Sequence, residues 1–252
     1  MSRWILLRGL AREARHWGDF PQQLAARIGE AEILAPDIPG NGSLFRLASP
    51  NRIEAMVEHL RTDLQRQQIA PPYYLLSLSL GGMVAVAWAH AYPEEIAGLV
   101  LINTRLRSVN PWYQRLQPGS YATLLRIALA SGNAALREQL ILNLTSNSAS
   151  EKSAVLPQWI AWRKEFPVST GNALRQIAAA SLYRAPARAP RPPILMLASS
   201  ADRLVDARCT RQLAEQWGSA MALHPTAGHD LPLDDGPWVA DQVRQWLRQR
   251  LK

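Results

Sequence analysis

Apolar positions along this chain follow two alternating spacings. Short, nearly continuous apolar runs recur at residues 3–7, 31–37, 73–78, 99–103, 194–198 and 220–223. Gly, Pro, Asn, Asp or Ser flank them, as they flank buried strands. Between them lie segments with a helical period. Residues 16–28 read as one helix. In the next, Ile53, Met56, Val57, Leu60 and Leu64 fall at offsets 0, 3, 4, 7 and 11, on one helical face. Ser49 is its expected N-cap, with Pro50 at N1. Residues 80–92 are apolar nearly all round, which predicts a helix buried between layers; Pro93 ends it. A helix near 207–217 follows, then a closing helix carrying Val239, Val243, Trp246 and Leu247. Strands alternating with helices predict an α/β fold, a mostly parallel sheet with helices on both faces.

The pattern changes from about Arg105 to Arg188, where no strand is convincing. Residues 121–130, 135–144 and 158–165 look helical, punctuated by Pro111, Pro118, Pro157 and Pro167. Residues 185–193 are Pro-rich and read as a stiff return linker. The expected division is therefore a core of 1–104 and 189–252, with 105–188 as an inserted helical cap. An insertion at that point covers the strand ends, where open α/β sheets bind ligands.

The most informative segment is Leu75-Leu76-Ser77-Leu78-Ser79-Leu80-Gly81-Gly82-Met83. An apolar run leads into a serine, and a glycine pair and an apolar helix follow at once. This is the pattern of a strand turning sharply into a helix with Ser79 at the apex. A serine hydroxyl is a poor nucleophile at neutral pH. It needs an adjacent base, and the base needs an orienting carboxylate. Asp202 lies in the loop after residues 194–198, and His229 in the loop after 220–223. Asp206 competes with Asp202, but it opens the next helix and suits an N-cap. His59 and His90 lie within helices, His224 ends a strand, and His16 precedes the serine in the chain.

Five motifs occur in order. Leu7-Arg8-Gly9-Leu10 matches an oxyanion loop with Arg in place of His, and Asp37-Ile38-Pro39-Gly40-Asn41-Gly42-Ser43 an Asp-x-Pro-Gly loop. Residues 77–82 match a serine elbow with Ser77 in place of Gly. Ala201-Asp202-Arg203-Leu204-Val205 matches an acid loop, and Ala227-Gly228-His229-Asp230-Leu231-Pro232 a histidine loop. The chain resembles the capped α/β-hydrolases of the esterase and lipase superfamily along nearly its whole length. The resemblance implies Ser79, Asp202 and His229 as the catalytic residues, with the Leu10 and Leu80 amides as oxyanion donors. Gly9 is expected to let the backbone approach the substrate. Arg8, Trp112 and Trp159 are candidate substrate contacts. Asp37 is expected to organise its own loop through local hydrogen bonds.

Composition narrows the setting. The chain has 252 residues, 48% of them hydrophobic, and one cysteine, Cys209, so no internal disulfide can form. No apolar run approaches the ~20 residues of a membrane-spanning helix, and the first nine residues are too short for a signal peptide. No Cys/His cluster has metal-ligand spacing. These features lead to the expectation of a cytoplasmic enzyme, monomeric or homodimeric, without metal or cofactor, acting on a small acyl ester. The net charge is +8, and residues 105–191 hold twelve Lys or Arg against three Glu. The plain account is a solvated, arginine-rich helical surface. The sharper one is a surface for an acidic acyl carrier protein, as in carboxylesterases acting on carrier-linked methyl esters such as the pimeloyl ester. Arg126, Arg137, Lys152, Arg163 and Lys164 are its candidate contacts. A non-catalytic ligand receptor on the same fold is the alternative of another class. Nucleic-acid binding lacks a reading module.

Overall fold

In the computed structural model, which describes residues 1–107, 116–130 and 132–250, six strands form one sheet. They are β1 (Ser2–Leu7), β2 (Ala31–Leu34), β3 (Tyr73–Leu78), β4 (Ile96–Ile102), β5 (Ile194–Ser199) and β6 (Ala220–His224). Their order is β2-β1-β3-β4-β5-β6 and every neighbouring pair is parallel. The chain leaves β1 toward β2 and returns on the other side as β3. The carboxyl ends of β1 and β3 thus flank the switch point where such sheets open a crevice. Gly9 and Leu10 follow one of these strands, and Ser79 follows the other.

Strand alternation assigns the two faces. Ile5, Leu7, Leu75, Leu99, Leu101 and Met196 pack toward α2 (Ile53–Arg66), α3 (Leu80–Ala91) and α8 (Ala207–Trp217). Trp4, Leu6, Leu76, Leu78, Val100, Ile102 and Leu197 pack toward α1 (Phe20–Ile28) and α9 (Leu231–Arg250). α3 is the most enclosed helix, with every residue from Leu80 to Ala89 buried, as its all-round apolar sequence requires.

Two N-terminal expectations need correction. The 16–28 segment is not one helix: a 3-10 turn over Ala14–Trp17 breaks at Gly18 (φ 53°), and α1 starts at Phe20. α2 starts at Ile53, not after Ser49. The Ser49 N–H is instead taken by the side chain of Asn172, 2.9 Å away.

Between β4 and β5 the described residues form four helices and no strand: α4 (Ser120–Leu129), α5 (Ala134–Thr145), α6 (Ala149–Glu165) and α7 (Thr170–Leu182). Asn133, Ser148 and Ser169 cap α5, α6 and α7 by accepting from backbone N–H groups three residues on. α6 runs through Pro157, so that proline does not end the helix as its sequence suggests. α7 is hidden in the sequence altogether, because polar Asn172 and Gln176 share its buried face with Ala173 and Ala179. Among the described residues no helix is long and apolar enough to cross a membrane.

Candidate active site

Ser79 sits between β3 and α3 with φ 55° and ψ −112°. A non-glycine residue in that region costs about 1–3 kcal/mol and persists only where its surroundings over-determine it. They do so here. The Ser79 N–H donates to Ile102 O (3.0 Å), and the Gly82 N–H returns to Ser79 O (3.0 Å). Gly81 explains why the turn can be so tight. A β-carbon there would stand 2.3 Å from Leu7 O and 2.8 Å from Arg8 O, both backbone atoms of neighbouring β1 and its loop. Gly81→Ala must push β1 away from the turn. The expected loss is about 3 kcal/mol, about 6–12 °C in melting temperature, measurable by calorimetry. Ser77, in place of the usual glycine, is accommodated: it is fully buried and its Oγ donates to Val100 O at 3.1 Å.

The loop after β1 lies against this turn. A β-carbon on Gly9 would stand 3.4 Å from Ser79 Cβ, so the Gly9 backbone is already close to the serine. The Arg12 N–H bonds Gly9 O at 3.3 Å, closing a turn in which Ala11 has φ 54°. Leu10 and Leu80, the expected oxyanion donors, both line a cavity of about 250 Å³ with Ser79, Met83, Arg105 and Ile177. The Leu80 N–H belongs to the first turn of α3, where the helix dipole favours negative charge.

Asp202 and His229 come together from the loops after β5 and β6. His229 Nδ1 lies 2.7 Å from Asp202 Oδ2, and the two residues are 5% and 4% exposed. The other carboxylate oxygen accepts the N–H groups of Leu204 (2.7 Å) and Val205 (2.9 Å). Asp206 instead caps α8 through the Arg208 N–H. Asn103, just after β4 and without any motif of its own, bridges the two loops. Its Nδ2 donates to His229 O at 2.8 Å and its Oδ1 accepts from Ser199 N at 3.1 Å. Its φ of 48° after β4 suits asparagine. Asp37 organises its loop as expected, accepting from Ala14 N and Ser43 N.

Arg8 is buried and already paired. Its guanidinium makes a two-pronged pair with Asp230, at 3.1 and 2.5 Å, and lies over the ring of Trp17. Both charges are buried, so the pair ties the strand before Gly9 to the residue after His229. Among the described residues, the cation lining the cavity is Arg105. Trp159 is enclosed as well. It is 2% exposed, and its ring packs against His16 and under the guanidinium of Arg12. Trp112 lies outside the described residues.

These aromatic contacts surround a buried ionic cluster. Glu138 on α5 is fully buried and accepts from Arg12 (2.7 Å) and from Arg163 on α6. Burial raises the Glu138 pKa, but the two guanidiniums outweigh it and hold the carboxyl below its ordinary range. Arg163 is thus committed inside the insertion, whereas Arg126 and Lys164 are exposed. Burial, then the nearby Arg12 and Arg8, push His16 well below the ordinary imidazole value, so its ring is neutral. Arg12 Nη1, which can only donate, stands 3.1 Å from His16 Nε2. His16 Nδ1 lies 3.2 Å from both Glu13 N and Glu13 O.

The turn between α5 and α6 reaches both catalytic-candidate loops. Asn147 Nδ2 donates to Ala201 O (3.0 Å) and Thr226 O (2.9 Å). Thr145 O accepts the Asp230 N–H at 2.7 Å. Asp234 at the start of α9 accepts from the Ser146 hydroxyl and the Asn147 N–H. No His/Cys/Asp/Glu group among the described residues could hold a metal ion.

Known proteins are similar to this chain in sequence and fold. The chain is 26% identical to the biotin biosynthesis bifunctional protein BioHC of Teredinibacter turnerae, over 98% of this chain and 44% of that protein. It is 33% identical to the lipase LipV of Mycobacterium tuberculosis over 40% of this chain and 37% of that one. It therefore spans less than half the length of these curated relatives. A thermophilic esterase from Thermogutta terrifontis has the same fold, with a TM-score of 0.72 at 20% identity, covering 99% of this chain and 90% of that one. The model of the α/β hydrolase family matches residues 4–242. With a six-stranded parallel sheet and a serine at the tight turn after β3, the chain belongs to the α/β hydrolase family.

Proposed function

We propose that this protein is a serine hydrolase that cleaves a carboxylic ester, thioester or lactone through an acyl-enzyme on Ser79. The observation that carries the reading is the buried Asp202–His229 hydrogen bond of 2.7 Å; the Arg8–Asp230 pair ties the His229 loop to the loop whose Gly9 approaches Ser79. Ser79 Oγ attacks the acyl carbon while His229 Nε2 takes its proton. The Leu10 and Leu80 amides receive the oxyanion. Collapse expels the alcohol or thiol, which takes the proton from His229. Water then attacks the acyl-enzyme and gives a proton to His229; the second collapse frees the acid, and His229 returns that proton to Ser79 Oγ. Asp202 stays ionised throughout and stabilises the imidazolium. Similarity to an esterase and a lipase supports this class.

The test is an acyl-ester panel, with thioesters and lactones, run beside a fluorophosphonate probe whose adduct is mapped by mass spectrometry. Turnover with the adduct on Ser79 supports the reading. No turnover and no adduct favours a non-catalytic receptor.

A second reading narrows the substrate to an acyl chain on an acidic carrier protein. The similarity to BioHC and the exposed Arg126 and Lys164 favour it; Arg163, bound to Glu138, takes no part. Binding to acyl carrier protein that weakens with salt supports it. No binding at low ionic strength excludes it.

A further inference from the structure

We propose that Gln176 is a positioning residue for the oxyanion loop. By holding the Ala11 N–H, it sets where the Leu10 amide stands, so the inserted helix α7 governs how well the site receives developing negative charge. This rests on the serine-hydrolase reading above.

Gln176 is fully buried on α7. Its Oε1 accepts the Ala11 N–H at 2.8 Å, and its Nε2 donates to Asn41 Oδ1 at 2.8 Å. Asn41, also fully buried, donates from Nδ2 to Arg12 O at 2.9 Å. The path therefore leaves the loop at Ala11, passes through two side-chain amides and returns at Arg12. Each amide uses a donor and an acceptor in a fixed sense, so the two brace each other.

The loop needs such a brace. Ala11 has φ 54°, a conformation its β-carbon disfavours by about 1–2 kcal/mol. Fixing the Leu10–Ala11 peptide from outside fixes the torsions on either side of it, and the amide immediately before it is that of Leu10. The Arg12 N–H to Gly9 O bond (3.3 Å) holds the turn from within. An oxyanion donor must stand within hydrogen-bond range of where charge develops, and about 1 Å of misplacement costs on the order of 100-fold in rate. Ile177 and Ala180 of the same helix line the cavity beside Ser79. One helix thus touches the space a substrate occupies and the loop that holds its oxyanion.

The test compares wild type with Gln176→Met, and with Asn172→Ala as a control on the same helix. Asn172 ties α7 to Phe45, Leu47 and Ser49, not to the 9–12 turn. Readouts are kcat, KM, melting temperature and the Kd of a phenylboronic acid. Boron accepts a lone pair of the serine oxygen and the proton passes to histidine, giving a tetrahedral anion that uses the oxyanion donors. Gln176→Met is expected to lower kcat roughly 10- to 100-fold, with KM within about threefold and boronic acid affinity lowered by the same factor as kcat. Asn172→Ala is expected to lower the melting temperature and leave kcat and boronic acid binding within about threefold. Equal losses in both variants, or wild-type boronic acid binding by Gln176→Met, overturn the proposal. Should Gln176→Met not fold, Asn41→Ser decides: a loss of about three- to tenfold in boronic acid affinity supports the brace and no loss sinks it. Wild type that neither turns over esters nor binds the boronic acid marks instead a failure of the serine-hydrolase reading.

Discussion

Asp202→Asn is expected to lower kcat on an ester substrate about 10⁴-fold, with the fold intact. The reason lies on the far side of the carboxylate from His229. Oδ1 already accepts two backbone N–H groups, from Leu204 at 2.7 Å and Val205 at 2.9 Å. An asparagine must keep its oxygen there, since its NH₂ would meet two donors. The NH₂ then faces His229 Nδ1, which must accept. The neutral ring now carries its proton on Nε2, the nitrogen that has to take the proton of Ser79. The base is present, in place and in the wrong tautomer. Circular dichroism and melting temperature should stay near wild type while steady-state turnover collapses. A kcat within tenfold of wild type would falsify Asp202 as the orienting carboxylate.

Glu138→Ala is the change expected to cost most in stability. It leaves Arg12 and Arg163 facing each other in a buried site without their shared carboxylate. Losing one partner of a buried ionic group costs about 3–5 kcal/mol, here roughly 6–20 °C in melting temperature. The pH dependence has a definite sign. Arg12 and Arg163 hold the Glu138 pKa below its unfolded value. The stabilisation is therefore complete above the unfolded pKa of about 4.3 and is lost as pH falls through the lower folded value. The gap between wild type and variant should be full at pH 7 and narrow below about pH 4. Replacing Arg12, Glu138 and Arg163 together with apolar residues of similar volume should recover much of the loss. A gap that does not change with pH would mean that packing, not charge, carries the effect.

Those parts of the candidate site whose chemistry is carried by short segments were legible in the sequence. Ser79 reads from a strand, a small-residue turn and a buried helix that are contiguous. Asp202 and His229 read from their place after two apolar runs. The pairing of Arg8 was not legible, because its partner, Asp230, is 222 residues away, and no local pattern tells a buried paired arginine from one facing a pocket. The packing of Trp159 was not legible either: a tryptophan on a helix looks the same whether it meets a ligand or His16. Asn103, Asn41 and Gln176 left no signal, since a single amide joins segments only once they are folded. In the insertion, the sheet no longer sets a spacing. α6 was cut short at Pro157, and α7 was hidden by the polar residues it buries.

The short turn at 145–148 bears on how this protein could be re-engineered. Through Thr145 and Asn147 it is bonded to the segments that present Asp202 and His229. The insertion is therefore not an exchangeable cassette. A graft that replaced all four helices would strip both segments of backbone partners and lose activity, even if the new helices folded. Diversity is better sought in α4, whose Tyr121, Leu125 and Leu129 face solvent; there, side chains can change without touching the bonds that keep Asp202 and His229 in register.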